Sequence, residues 1–91
     1  MSVSANTRYK RALIRALLRI RHPALMEAFL DDLLTPGECI ELGKRLEAVR
    51  QLARGVPQRE IAQQLHMGVA TVTRGSRVLH KKYSAVRRVL D

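Results

Sequence analysis

The sequence predicts an all-α protein of about six helices, on three observations. Apolar residues recur three and four positions apart along most of the 91-residue chain. No stretch shows the strict alternation of a half-buried strand. All three prolines stand where a helix is expected to begin, not inside one. Ninety-one residues suit one small domain, and a chain this short and helix-rich is expected to complete its core across a dimer interface.

The elements follow in order. Residues 1–6 are expected to form a disordered tail ahead of a single helical domain spanning 7–91. From Thr7 to Arg21 the chain reads as a basic amphipathic helix, with Leu13, Leu17 and Ile20 on one face and Ile14 and Leu18 flanking it. Pro23 suits the first turn of a second helix reaching about Leu34. Thr35-Pro36-Gly37-Glu38 is a start signal: Thr35 as cap, Pro36 at the first helical position and Glu38 closing a capping box. The third helix runs to about Arg54 with an apolar stripe of Leu42, Leu46, Val49 and Ala53, and Gly55 ends it. Pro57 opens the next helix, and a last one covers about Tyr83 to Leu90.

Charge narrows the partner classes. The formal net charge is +9, unevenly placed: +6 over residues 1–22 without an acid, −2 over 23–55 and +5 over 56–91. Such an excess favours polyanions, either nucleic acid or an acidic membrane surface. Cys39 is the one cysteine, so no intramolecular disulfide forms, and a reducing cytoplasm is the expected setting. Apolar runs are too short to span a bilayer, and the basic N-terminus lacks a signal-peptide core. An enzyme is not expected. His22, His66 and His80 lie in separate segments with no partner at metal-ligand or triad spacing, and no glycine-rich phosphate loop occurs.

Residues 57–79 carry the most specific pattern: two short helices joined by the turn His66-Met67-Gly68, a helix-turn-helix layout. Ile61 and Leu65 face the core, Ala62 permits close helix approach, and Val72 with Val69 anchors the second helix. Gly68 tolerates unusual dihedrals and suits the start of the next helix. Ala70, Thr71, Thr73, Arg74 and Arg77 are left facing outward. Arg suits guanine edges, Thr and Ala suit the thymine methyl, and Thr hydroxyls reach phosphates. Gln58 and Arg59, opening the first helix, suit the DNA backbone. With Val69 at the start of the second helix, these residues form the candidate interface with double-stranded DNA.

Three blocks resemble the bacterial tryptophan repressor family: Leu34-Thr35-Pro36 through Leu42-Gly43-Lys44-Arg45, then Arg54-Gly55 with Gln58-Arg59-Glu60, and most specifically Gly68 through Ser76. The resemblance covers about residues 33–79, with one small deletion around Val56-Pro57. It implies an intertwined all-helical homodimer whose two readers address a palindromic operator about one helical turn apart. It also implies L-tryptophan as corepressor, bound between the third helix and the recognition helix. By that likeness the indole lies between Arg45 and Arg74, and Arg74 with Thr35 holds the carboxylate. Leu34, Gly75 and Val78 complete the implied ligand set.

Departures from the family pattern are Val78 where the family has serine, Asp32 where it is apolar, His66 for a turn glycine and Arg77 for an asparagine. Residues 29–34 are more similar to tryptophan-repressor-like proteins of Gram-positive bacteria. Two alternatives therefore stand beside the tryptophan-activated repressor. One is a related DNA-binding regulator with a different effector or none, and the other is a basic module meeting an acidic partner or a membrane surface.

Overall fold

A computed structural model describes residues 4–90, and among them are six helices and no strand. These are α1 (Ala5–Leu18), α2 (Pro23–Leu33), α3 (Pro36–Ala53), α4 (Gln58–Leu65), α5 (Val69–His80) and α6 (Ala85–Leu90). The described chain divides into two compact units, one ending at Pro36 and the other starting at Gly37. Residues 1–3 of the expected tail, and Asp91, lie outside the described residues.

α1 begins at Ala5, two residues before the periodicity places it, so Ala5 and Asn6 belong to the helix and not to a tail. Ser4 is the cause. Its hydroxyl accepts from the Thr7 backbone N–H at 3.2 Å, satisfying one of the amides a helix start leaves unpaired. α1 also ends early. The amides of Arg19 and Ile20 turn to the carbonyls of Ala16 and Leu17, tightening the last turn. Pro23 then forces His22 into extended backbone (φ −114°, ψ 135°) before α2 starts.

No residue of α1 or α2 is buried. Leu13, Ile14 and Leu18 on α1, and Leu25 and Leu33 on α2, keep large apolar side chains exposed. Leu17 and Ile20 of the expected stripe are half-buried.

The second unit holds the core. Ala48, Ile61, Ala62 and Val72 form a buried cluster against which Leu52, Val56, Leu65 and Met67 pack. On α3 the covered face is Ala48, Val49 and Leu52, while Leu42, Leu46 and Ala53 of the expected stripe are exposed. α3 is apolar around more of its circumference than one partner covers, so the 3.6-residue period alone does not identify the covered face.

α3 and α4 end the same way. After α3, Val56 N–H bonds to Gln51 O and Gly55 N–H to Leu52 O, with Gly55 at φ 85°. After α4, Met67 N–H bonds to Ala62 O and His66 N–H lies near Gln63 O, with His66 at φ 53°. Both are Schellman closures, which need one left-handed residue. Gly68 stands at the start of α5, as expected, with ordinary extended backbone (φ −68°, ψ 141°) that makes no use of its tolerance for unusual dihedrals. The left-handed residue of the turn is His66, because a Schellman closure puts it directly after the last helical turn.

α6 starts at Ala85, later than the expected Tyr83. Ser84 is buried and its hydroxyl accepts from the Arg87 amide at 3.2 Å, so the cap decides the start.

Candidate nucleic-acid interface and ligand cleft

α4, its turn and α5 form the helix-turn-helix. Ile61 and Val72 are fully buried where the two helices meet, and Ala62 is buried beside them. Ala62 contributes the short side chain that lets the helix pair close. Ala70, Thr71, Arg74 and Arg77 are exposed on α5, and Arg59 is exposed on α4. Val69, expected to help anchor α5, is 51% exposed. It lies in the first turn of α5, and the buried residues of that helix are Val72 and Leu79.

Thr73 and Gln58 differ from the outward-facing expectation. Both are half-buried, and Thr73 Oγ1 donates to Gln58 Oε1 at 2.7 Å. The bond braces the middle of α5 against the first residue of α4, so these two polar groups partner each other in the free protein.

Behind the exposed face of α5 lies a cleft of about 480 Å³ between α3 and α5. Arg45, Arg74, Gly75 and Val78, all singled out in the sequence, line it together. Leu42 and Leu46 of α3, Met67 of the turn, Thr71 of α5 and Val86 of α6 also line it. Leu42 and Leu46 belong to the expected stripe of α3 and Met67 to the expected turn, whereas nothing in the sequence singles out Val86. Val86 carries no local signal, since α6 meets the cleft only through the fold. Leu34 and Thr35 belong to the first unit, with Leu34 half-buried and Thr35 exposed immediately ahead of α3. Asp32 is exposed near the end of α2.

Two features shape the cleft. Gly75 lets α5 approach α3: a Cβ there would stand 3.4 Å from both Leu52 Cδ1 and Val49 Cγ2. Arg45 is 3.8 Å from Glu41, an exposed i,i+4 pair worth little by itself that leaves the guanidinium at the cleft mouth. The lining is otherwise apolar apart from Thr71 and the two arginines, and it contains no carboxylate. It suits a flat apolar group carrying an anionic substituent, since a guanidinium both stacks on a ring and pairs a carboxylate. Among the described residues no group of three His, Cys, Asp or Glu gathers as a metal site, and no helix is long and apolar enough to cross a membrane.

Comparison with known proteins bears on this arrangement. A family model described as "Trp repressor protein" matches residues 9–91. A "Trp operon repressor homolog" of Actinobacillus succinogenes is 41% identical over 80 residues, covering 87% of this chain and 79% of the relative. The protein of the same description from Pasteurella multocida is 39% identical over 80 residues, covering 87% and 78%. That of Vibrio vulnificus is 44% identical over 57 residues, covering 62% and 56%.

Proposed function

The chain belongs to the Trp repressor protein family, a family of transcription regulators and not of enzymes, and on that premise we propose that it is an operator-binding repressor with L-tryptophan as its corepressor. In this reading the exposed face of α5, with Ala70, Thr71, Arg74 and Arg77, enters the major groove of a palindromic operator. Arg59 holds the backbone, and Gln58 with Thr73 sets the angle between the two helices.

The observation that carries the reading is that Arg45 and Arg74 line one cleft directly behind that face. A ligand wedged there contacts α3 and α5 at once and biases the angle at which α5 projects. The effect is a population shift, so operator DNA tightens tryptophan binding by the same factor that tryptophan tightens DNA binding. The proposed assembly is a homodimer. The exposed Leu13, Ile14 and Leu18 of α1, in the first unit, and the exposed Ile40 of α3, in the second, are apolar side chains that a second copy would bury. Leu34 and Thr35, in the first unit, belong to the proposed ligand set as well.

The test is a calorimetric titration of L-tryptophan into the protein, with L-tyrosine, indole and indole-3-acetate alongside. Saturable binding of one tryptophan per subunit supports the corepressor role. Tighter binding of indole-3-acetate assigns a different effector, for which apolar Val78 and the acid-free lining are the reason. Light scattering at micromolar concentration reads the dimer, and a monomeric mass removes it.

A further inference from the structure

A second cleft, of about 280 Å³, lies in the same unit as the helix-turn-helix, where the first half of α3 meets the turn after α4 and the start of α5. Glu41 and Lys44 line it from α3, His66 and Met67 from the turn, and Gly68 and Thr71 from the start of α5. Thr71 ties this cleft to the proposed interface. It is exposed, it stands in the first turn of α5, and it belongs to the face that enters the major groove in the reading above.

Lys44 is half-buried, yet among the described residues no ion pair joins it. Glu41 and Glu47 stand three positions to either side of it, and both are engaged elsewhere. Glu41 lies 3.8 Å from Arg45, and Glu47 lies 3.8 Å from Arg50 and accepts from Gln51 at 3.2 Å. The ammonium is therefore left without a counter-charge beside the start of α5. His66 adds a second donor, since its imidazole is exposed at the same cleft and an imidazole always carries at least one N–H.

The dimensions identify the partner. A helix with its side chains is about 10–12 Å across, and a B-DNA major groove is about 12 Å wide. A helix in that groove fills it by itself, so a group bordering its first turn stands over the sugar–phosphate wall and not over the bases. Lys44 and His66 are such groups, because they share the cleft with Gly68 and Thr71.

We propose that Lys44 and His66 bind a backbone phosphate of duplex DNA beside the first turn of α5. The inference rests on the DNA-binding reading above and adds to it a contact made from α3 and the turn. That contact contributes affinity and register, not base preference.

The test is fluorescence anisotropy on mixed-sequence DNA duplexes of about four helical turns, over a salt series, with and without L-tryptophan. Lys44→Met removes the charge and keeps an apolar stem in the half-buried position. Lys44→Gln is measured as well in case Lys44→Met does not fold, and Lys44→Arg preserves the charge. His66→Gly removes the imidazole and suits the left-handed turn, so it probes the cleft without threatening the fold. Loss of the Lys44 contact is expected to make the slope of log K against log salt shallower by about 0.9 and to weaken binding about three- to ten-fold at physiological salt. The loss is expected to be equal on every duplex. Lys44→Arg is expected to match wild type. His66→Gly is expected to bind about two- to ten-fold more weakly, the effect of one lost hydrogen bond. A wild-type slope in the uncharged Lys44 variants and wild-type affinity in His66→Gly, with wild-type binding intact, overturn this inference alone. A loss confined to certain sequences overturns it too, moving the contact to base edges. If wild type binds no duplex with or without L-tryptophan, the DNA-binding reading falls and this inference with it.

Discussion

Thr73 Oγ1 donates to Gln58 Oε1 at 2.7 Å, joining the middle of α5 to the first residue of α4. The two are 15 positions apart in the chain. The bond joins two helices that also share the buried cluster of Ile61, Ala62 and Val72, so it resists their opening. Thr73→Val keeps the shape and leaves Gln58 without its donor. Urea unfolding is expected to give a loss of about 1 kcal/mol. A double-mutant cycle with Gln58→Ala is expected to yield a coupling of similar size. Strictly additive losses would mean that the bond does not brace the reader.

His66 closes α4 in a left-handed conformation that a β-carbon disfavours. Its imidazole is exposed and contributes nothing to the core. His66→Gly is expected to stabilise the protein by about 1 kcal/mol, read as a higher urea midpoint with unchanged slope. A destabilised variant would reveal a contact made by the imidazole that outweighs the backbone strain.

Arg74 lines the cleft from α5 and is exposed on the proposed groove-facing helix, whereas Arg45 lines the cleft from α3 and pairs with Glu41. Arg74→Ala is expected to weaken both tryptophan and DNA binding. Arg45→Ala is expected to abolish tryptophan binding and leave ligand-free DNA binding within about two-fold of wild type, since it makes no phosphate contact. Calorimetry and fluorescence anisotropy separate the two. Normal tryptophan affinity in either variant would remove that arginine from the pocket.

Arg59 and Arg77 are both exposed but stand on different helices. Arg59→Ala is expected to weaken all duplexes alike and make the salt slope shallower by about 1. Arg77→Ala is expected to cost about 1–3 kcal/mol on preferred sequences only. A uniform loss on every sequence from Arg77→Ala would reassign it to the backbone.

Much of the fold was legible because helix boundaries are set by short-range chemistry. Pro23 and Pro36 open α2 and α3 where the sequence places them, and Gly55 ends α3. The helix-turn-helix follows from Ile61, Ala62 and Val72, whose spacing buries all three on one seam. Where the prediction slipped, a side-chain cap had outweighed the periodicity, Ser4 for α1 and Ser84 for α6. The arginines of the cleft were legible through family likeness, and Arg45 and Arg74 do face one cavity.

By itself the sequence determined the all-helical class, the order of the elements and the charge asymmetry, because these depend on intervals of three to seven residues and on composition. The tertiary structure alone decided which side of α3 is covered, since several of its faces are apolar and only a packed neighbour chooses among them. It decided that Thr73 turns inward to Gln58, that His66 takes the strained turn position, and that Val86 reaches the cleft from α6. Each depends on bringing together residues distant along the chain, or on closing one particular turn, and a local pattern specifies neither.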